Sequence, residues 1–509
     1  MERNIHAFLL VGLNSRRRRR MANRILIYPL GNSDILFNKN YIERENFRKV
    51  TEAIYNELSN LKYEIFSDKT LHYNGLKYKV DSEERALLFP IFTSVIKSIK
   101  NYIKEMKFYF IYTDQKNIEE NKQDTLYLYE IVKKFLTKRG IEPEKVKGFP
   151  ITHNPTDLSI LYNTISNFRL EREDEFKNAN DIFIILGPGT PQMTTNLILN
   201  FMDFRNARFY YISRYKEGLK PIDFPYKVIS KEIKDSVLRL IDDFNYTAAN
   251  LLYKKLPDEE RKEIKLIESL HHRTNFDFER AYNSFIDYYN RCVDRESVIE
   301  DLKDTLEKLK DKDEKELKKE LYYEFVLRIR SERYLEAVAM IFRFVEEILM
   351  TTVEKEFNVK ITSKDDFEDF KKIFKENKDL REYFSNEKRK INWENKAPTR
   401  ITYVKLLRYL KNREGVKDKN LIEKVLSFYE RYDNEESAIL DLRNSTPFAH
   451  GFEGVSREKL EKAYKSPEII AEEFKEIMEA LGIKVESYNS DKFPFVLINN
   501  YLKERIKKN

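Results

Sequence analysis

Close to the C-terminus, an arginine, an asparagine and a histidine have the residue types and spacing needed for acid–base chemistry on a phosphate ester. His450 is suited to moving a proton to or from an oxygen, because histidine titrates near neutral pH. Arg443 can stabilise the charge that develops on a phosphorane, and Asn444 can orient the imidazole or a phosphate. Because Thr446 and Pro447 interrupt or restart the preceding helix, Arg443 and His450 can reach one face. This pattern predicts metal-independent cleavage of RNA.

The same spacing also fits a structural role, in which Arg443 ends a helix and His450 packs in a nearby core. Metal chemistry is not favoured, because Cys292 is the only cysteine and the six histidines lack the spacing of a zinc site. We therefore assign catalysis to Arg443, Asn444 and His450, with no metal ligands, and keep the structural role as the alternative.

Two loops in the N-terminal half have the composition of a phosphate or nucleotide site. The strand-like run 181–186 leads into 187–192, whose glycines allow close backbone approach and whose Thr190 can cap the next helix. The short polar residues 31–34 follow the first strand-like run and would lie at the same edge of a sheet. Each loop alone is also consistent with an ordinary turn.

Hydrophobic runs and turn residues alternate along the N-terminal half as in a parallel α/β sheet. Strands are predicted at 24–28, 108–112, 181–186 and 208–212, and helices at 83–102, 125–138 and 192–204. This alternation predicts a doubly wound parallel sheet. After about residue 231 helical patterns dominate. The charge run at 300–320 is expected to be a solvated helix or connector, and the apolar stripe at 334–349 to face a core.

Net charge is small once one basic run is set aside. The 509-residue chain, long enough for two or three domains, carries a formal net charge of +7, and five positive charges lie at 16–20. Charge therefore neither indicates nor excludes RNA as a partner. The basic run follows a short apolar stretch, which is the reverse of a secretory signal. We expect residues 1–20 to be a non-native or disordered leader before Met21, with a basic nucleic-acid-binding arm as the alternative.

In this order, the motifs resemble the type III CRISPR-associated accessory ribonucleases that join a CARF sensor domain to a HEPN nuclease domain. On the sensor side the resemblance rests on 31–34, on the strand ending at Thr113-Asp114, on 153–157 before a helix, and on 189–193. On the nuclease side it rests on the helix at 334–349 and on Arg443, Asn444 and His450. Six residues separate Arg443 from His450, which is within the spacing of the family signature. Five residues separate Asn444 from His450, which favours the accessory form over a HEPN toxin.

The resemblance implies a fold, an activity and partners. The fold is a doubly wound, Rossmann-like CARF sheet at 21–230, a helical connector at 231–325 and an all-α HEPN domain at 326–509. The activity is endonucleolytic cleavage of single-stranded RNA, activated by cyclic oligoadenylate in a cytoplasmic homodimer. Contacts to the ligand would come from Gly31, Asn32, Ser33, Asp34, Thr113, Asn154, Gly189, Thr190, Pro191 and Gln192.

Symmetry predicts the size of the activating ring, and the proposed chemistry predicts the ends of the cleaved RNA. A ring on the two-fold axis of a homodimer should contain four or six adenylates rather than three or five. Cleavage without a cofactor would leave 2′,3′-cyclic phosphate and 5′-hydroxyl ends. The alternative function is a ligand-responsive regulator whose helical half binds DNA or protein without cutting. A nucleotide-dependent oxidoreductase is disfavoured, because no Gly-x-Gly-x-x-Gly turn with a downstream ribose-binding acid is present.

Overall fold

The computed structural model describes residues 23–37, 40–60, 70–73, 76–79, 87–115, 121–212, 218–257, 261–292, 296–361, 364–385, 398–433 and 437–508. The chain divides into two compact units, Met1–Lys231 and Glu232–Asn509. The leader predicted at 1–20 lies outside the described residues, as does the start of the helix predicted at 83–102. No helix within the described ranges is long and apolar enough to cross a membrane.

One six-stranded sheet forms the centre of the N-terminal unit. The described strands are β1 (Arg24–Pro29), β2 (Leu36–Phe37), β3 (Asn40–Tyr41), β4 (Thr70–Tyr73), β5 (Leu76–Lys79), β6 (Leu87–Leu88), β7 (Met106–Thr113), β8 (Val146–Ile151), β9 (Asp181–Ile185), β10 (Ala207–Tyr211) and β11 (Lys220–Ile222). The sheet has the order β11-β10-β9-β1-β7-β8, and only β11 pairs antiparallel. Since the chain runs outward from β1 through β7 to β8 and then returns to β9, the strand order reverses between β1 and β9.

Helices cover both faces of this sheet. They are α1 (Phe47–Asn60), α2 (Pro90–Ser98), α3 (Leu126–Lys138), α4 (Leu158–Leu170), α5 (Glu173–Asn178) and α6 (Pro191–Phe201). Alternate side chains of β1 enter different cores: Leu26 and Tyr28 pack with α1–α3, and Ile25 and Ile27 pack with α4–α6. Burial on both faces explains the nearly continuous apolar runs in the sequence. The predicted doubly wound parallel sheet is confirmed.

The structure differs from the sequence prediction at the sheet edges and in one helix. β8 was not expected, because it contains Gly148 and Pro150, but an edge strand tolerates both. β11, which contains Pro221, closes the other edge. The helix predicted from residue 83 was wrong at 87–88, which form β6, and α2 begins at Pro90 because proline favours the first position of a helix.

None of the described residues of the C-terminal unit forms a strand. The unit consists of helices, the first of which begins at Phe224, within the range of the N-terminal unit. They are α7 (Phe224–Asp242), α8 (Tyr246–Tyr253), α9 (Ile264–Arg273), α10 (Phe278–Tyr289), α11 (Ser297–Lys310), α12 (Glu314–Arg330), α13 (Tyr334–Phe357), α14 (Lys364–Glu376), α15 (Lys378–Ser385), α16 (Arg400–Lys411), α17 (Lys419–Tyr432), α18 (Ala438–Asn444), α19 (Arg457–Ala463), α20 (Pro467–Ala480) and α21 (Pro494–Lys508). The apolar stripe predicted at 334–349 lies on α13 and is buried. One core cluster includes residues from Val237 to Ile506, drawn from both the predicted connector and the predicted nuclease part. The boundary between those two parts stays a prediction.

The charge run at 300–320 is not solvated along its whole length, which corrects the expectation from sequence. It falls on α11 and α12, which are separated near Lys312 with its positive φ of 59°. Glu320 is 1% exposed, and its carboxylate accepts two hydrogen bonds of 2.6 Å from the Arg273 guanidinium. Because a charge can be buried when it is paired, charge density alone did not indicate exposure.

Candidate functional site

A cavity of about 850 Å³ lies at the carboxyl edge of the sheet. Its wall is formed by the loops that follow β1, β7, β8 and β9 and by the segment 41–45. The reversal of strand order between β1 and β9 lies at this edge, and such a position is where doubly wound sheets bind ligands. The cavity is therefore the candidate ligand site of the N-terminal unit.

Eight of the ten residues predicted to bind a ligand line this cavity: Gly31, Asn32, Ser33, Thr113, Asn154, Gly189, Thr190 and Pro191. Asp34 and Gln192 are not part of the lining. Asp34 is fully buried, and its carboxylate accepts hydrogen bonds from the Tyr28 hydroxyl at 2.6 Å and from the Gly31 N–H at 2.8 Å. Asp34 therefore holds the turn after β1 in place instead of facing the cavity.

Local hydrogen bonds fix the side chains of Thr190 and Asn154. Thr190 Oγ1 accepts from the Met193 N–H at 3.2 Å, which caps α6, and donates to the Pro155 carbonyl at 2.9 Å. Asn154 Oδ1 accepts from the Thr156 N–H at 2.9 Å and from its hydroxyl at 2.7 Å. The bond to Pro155 ties the loop after β8 to the N-terminus of α6, where backbone N–H groups favour an anion.

The loops after β1 and β9 touch through their glycines. A Cβ atom on Gly31 would lie 2.6 Å from the backbone nitrogen of Gly189. Gly189 has a φ of +78°, and a Cβ there would lie 3.0 Å from the Pro29 Cβ. Both positions therefore require glycine, and this close approach joins the two predicted loops into one site.

Sequence reasoning missed further residues that line the cavity, among them Tyr41, Arg44 and Lys122. Asp124 supports the same wall: its buried carboxylate accepts a hydrogen bond of 2.9 Å from Arg48, and burial raises its pKa. These residues precede α1 and α3 in segments that resemble ordinary charged surface, so no sequence signal marked them.

In the C-terminal unit, Arg443 and Asn444 end the short helix α18, and His450 lies on the loop that folds back over this end. The His450 N–H donates to the Asn444 carbonyl at 3.4 Å. Thr446 is 1% exposed, and its hydroxyl donates to the Arg443 carbonyl at 2.7 Å. Asn444 and His450 are exposed. The structure thus sets the His450 backbone against that of Asn444, and it does not place His450 in a core.

The return of this loop depends on Gly451. A Cβ atom at this position would lie 2.0 Å from the Ser445 carbonyl oxygen. The Gly451 N–H donates to the Thr446 carbonyl at 3.2 Å, and the Glu453 N–H donates to the Ser445 carbonyl at 2.8 Å. Only glycine allows the loop to close in this way, and the closure sets His450 beside Asn444.

An aromatic ring and a buried carboxylate surround Arg443. Its guanidinium carbon lies 4.7 Å from the centroid of the Phe342 ring on α13. Asp433, at the end of α17, is 1% exposed and forms an ion pair of 2.6 Å with Arg400. Burial raises the pKa of Asp433 to about 7, while Arg400 and Arg443 lower it. Phe342 was predicted only as a core residue, and no sequence pattern singled out Asp433 or Arg400.

This second site combines an exposed histidine with a half-buried arginine at the end of the preceding helix, and these side-chain types can supply a proton donor or acceptor and a cation to a phosphate ester. Among the residues that the structure describes, no group of three or more His, Cys, Asp or Glu side chains is placed to hold a metal ion.

A known family model matches only part of the C-terminal unit, whereas a similar solved structure covers nearly the whole chain. Residues 307–503, a range that includes Arg443, Asn444 and His450, match the family described as Cas_Csm6 HEPN domain. The chain is similar in fold to the solved structure of Enterococcus italicus Csm6 bound to cyclic hexa-2'-fluoro-hexa-dAMP, with a TM-score of 0.55 and 14% sequence identity over 95% of this chain and 100% of that chain. No curated protein matches the sequence.

Proposed function

We propose that this chain is a type III CRISPR accessory ribonuclease with an N-terminal CARF domain and a C-terminal HEPN domain, and that it cleaves single-stranded RNA when a cyclic oligoadenylate binds its N-terminal cavity. The HEPN match over residues 307–503 and the shared fold support the resemblance predicted from sequence. The observation that carries the proposed activity is the closed loop that sets the His450 backbone against Asn444, next to Arg443 in the chain, within the matched range.

At the nuclease site, His450 moves the proton and Arg443 stabilises the charge. The RNA 2′-hydroxyl attacks the adjacent phosphorus, which forms a 2′,3′-cyclic phosphate and releases the 5′-oxygen as a hydroxyl. His450 takes the proton from the 2′-hydroxyl or gives one to the leaving oxygen. Arg443, which the Phe342 ring holds from one side, stabilises the phosphorane, and Asn444 maintains the geometry. No step uses a metal ion.

In the sensor, the cavity has the features of a site for a phosphodiester ring. The N-terminus of α6 and the cations Arg44 and Lys122 favour phosphate groups, and the Asn32 and Ser33 loop offers hydrogen bonds. Tyr41 supplies an aromatic ring. The solved relative holds a cyclic hexanucleotide analogue, which supports this class of ligand.

A homodimer would complete both sites. Leu158 and Tyr162, one turn apart on α4, are 48% and 44% exposed just after the cavity residues 154–156. A two-fold pair would cover such an apolar face and would present each ligand contact twice. Two exposed Arg443–His450 sites facing each other would likewise form one cleft for RNA.

The test is cleavage of a fluorescent single-stranded RNA in EDTA, with and without cyclic oligoadenylates. We expect activated cleavage that survives EDTA and leaves 2′,3′-cyclic phosphate ends, identified by their resistance to direct ligation and by mass. Cleavage that needs added metal would contradict the mechanism. A ring that binds tightly while no RNA is cut would favour the ligand-responsive regulator instead.

A further inference from the structure

Two exposed phenylalanines flank His450. Phe448, two residues before it, is 52% exposed, and Phe452, two residues after it, is 95% exposed. A ring left in water contributes little to folding, because the hydrophobic effect rewards only buried apolar surface. The position of both rings beside the proposed catalytic histidine therefore calls for a role other than packing.

The loop that presents Phe452 is anchored on both sides. The Gly451 N–H donates to the Thr446 carbonyl at 3.2 Å, and the Glu453 N–H donates to the Ser445 carbonyl at 2.8 Å. The Glu453 carboxylate in turn accepts a hydrogen bond of 2.9 Å from Lys459 on α19. Because its two neighbours are both held by backbone hydrogen bonds, Phe452 is presented to solvent by a defined turn.

We propose that Phe448 and Phe452 are stacking platforms for RNA bases next to the cleaved phosphate, an inference that rests on the proposed ribonuclease function. Every base has an aromatic face, and stacking on an exposed protein ring positions single strands without reading their sequence. With one ring on either side of His450 in the chain, the two would splay the bases that flank the 2′-hydroxyl under attack.

The surroundings of the rings favour a base over an apolar protein surface. His450 lies between the two rings in the chain and Glu453 directly follows Phe452, and both of these polar residues are exposed. A second copy of this chain would bury a larger continuous apolar patch. A flat ring surrounded by polar groups matches a base that is attached to a charged backbone.

The test uses the full-length protein and an RNA with 2-aminopurine beside the cleaved position. We expect Phe452→Ala and Phe448→Ala to raise KM roughly 5- to 150-fold, the fold-change that corresponds to one lost stack. Phe452→Tyr should restore KM because it keeps the ring, and Phe452→Leu should not. Leu251→Ala is the matched control, since Leu251 is an apolar residue of α8 with 66% exposure.

A second readout separates this proposal from the ribonuclease function on which it rests. The same RNA with 2′-O-methyl groups cannot be cut, and stacking should quench its 2-aminopurine fluorescence on the wild type but less on Phe452→Ala. Quenching without cleavage of the normal RNA would refute the ribonuclease function alone. Unchanged KM and quenching in both alanine variants would refute the platforms alone. A loss of dimer in light scattering that parallels the loss of cleavage would assign the rings to a second copy and overturn the proposal.

Discussion

The two candidate sites are built in opposite ways. The N-terminal cavity is concave and collects residues from Gly31 to Thr190 at the ends of four parallel strands. The C-terminal site comes from eight consecutive residues, Arg443 to His450, at the end of a short helix, and its Asn444 and His450 are exposed. One site therefore depends on the whole sheet, and the other on one loop and the helices that support it.

This difference suggests that the cavity selects the ligand and that the short C-terminal segment carries out the proposed cleavage. A cavity formed by several loops can recognise the shape of a ligand, whereas an exposed histidine and a half-buried arginine at the end of one helix do not enclose a substrate. In the proposed homodimer, the proposed catalytic site should therefore respond to how the two copies meet, and a ligand can control cleavage by favouring one arrangement of the copies. A ligand activates only to the extent that it binds the active arrangement more tightly.

The largest loss of RNA cleavage should come from substitutions in the C-terminal site alone. His450→Ala and Arg443→Ala should each lower ring-activated cleavage by ~10² to 10⁴, the usual loss for an acid–base group or charge stabiliser. Ring binding, measured by calorimetry, should stay at the wild-type value. His272→Ala is the control for a histidine of the same unit. A folded His450→Ala protein that cuts at the wild-type rate would remove the catalytic assignment.

Substitutions in the cavity should have the second-largest effect, and they should reduce ligand binding without reducing basal RNA cleavage. Asn32→Ala and Arg44→Ala should weaken ring binding and activation about tenfold or more while basal cleavage stays unchanged, because each removes a polar group of the cavity wall. Thr190→Ser keeps the hydroxyl that caps α6 and should behave as wild type. Thr137→Ala, on the exposed side of α3, is the control. Normal ring response in both cavity variants would place the ligand elsewhere.

The activating cyclic oligoadenylate should have the two-fold symmetry of the proposed homodimer. We expect cyclic tetra- or hexa-adenylate to activate cleavage, with rings of three or five adenylates much weaker, because a two-fold site presents each contact twice. Dose–response curves for the four rings at equal protein concentration would check this. Strong activation by an odd-numbered ring alone would contradict a two-fold sensor.

The smallest effect concerns stability in the unit that carries the nuclease site. Glu324 is fully buried, and burial raises its pKa to about 8, although Arg328 lowers it. The folded state therefore keeps a proton that the unfolded state releases near pH 4.5. The free energy of unfolding should fall between these pH values, by at most about 1.4 kcal/mol per pH unit for one proton.

Glu324→Gln supplies the comparison for this pH dependence, because an uncharged amide has no proton to lose. Calorimetric melting at pH 5 and pH 8.5 should show a smaller pH-dependent loss in the variant than in the wild type. Equal losses in the two proteins would show that the buried carboxyl keeps an ordinary pKa. Ring binding in the N-terminal unit should be the same in both proteins.

The fold of the N-terminal unit and its ligand-site loops could be predicted because short stretches of sequence mark them. Apolar runs placed β1, β7, β9 and β10, and the same runs placed their polar loops at one edge. β8 was not predicted, because glycine and proline are typical of turns and this strand contains Gly148 and Pro150, which an edge strand tolerates. Asp34 was correctly placed in the loop, but only the structure shows its carboxylate turned toward Tyr28.

Contacts between distant segments could not be predicted in this way. Phe342 looks like any other residue of a buried helical stripe, and its contact with Arg443 depends on how α13 packs against α18. Arg44 and Lys122 reach the cavity only because their segments precede α1 and α3 at the same edge. Such proximity is set by packing, and neither composition nor periodicity encodes it.

The contact between Gly31 and Gly189 has a consequence for how the sensor can evolve. A side chain at either position would push the two loops apart, so the loops cannot change shape independently. Substitutions at Asn32 and Thr190, one residue beyond each glycine, should therefore show epistasis in ring affinity, with a double-mutant effect that differs from the sum of the single effects. Specificity for a new ring would require paired changes on both loops, and lineages that altered only one would lose the ligand before gaining another.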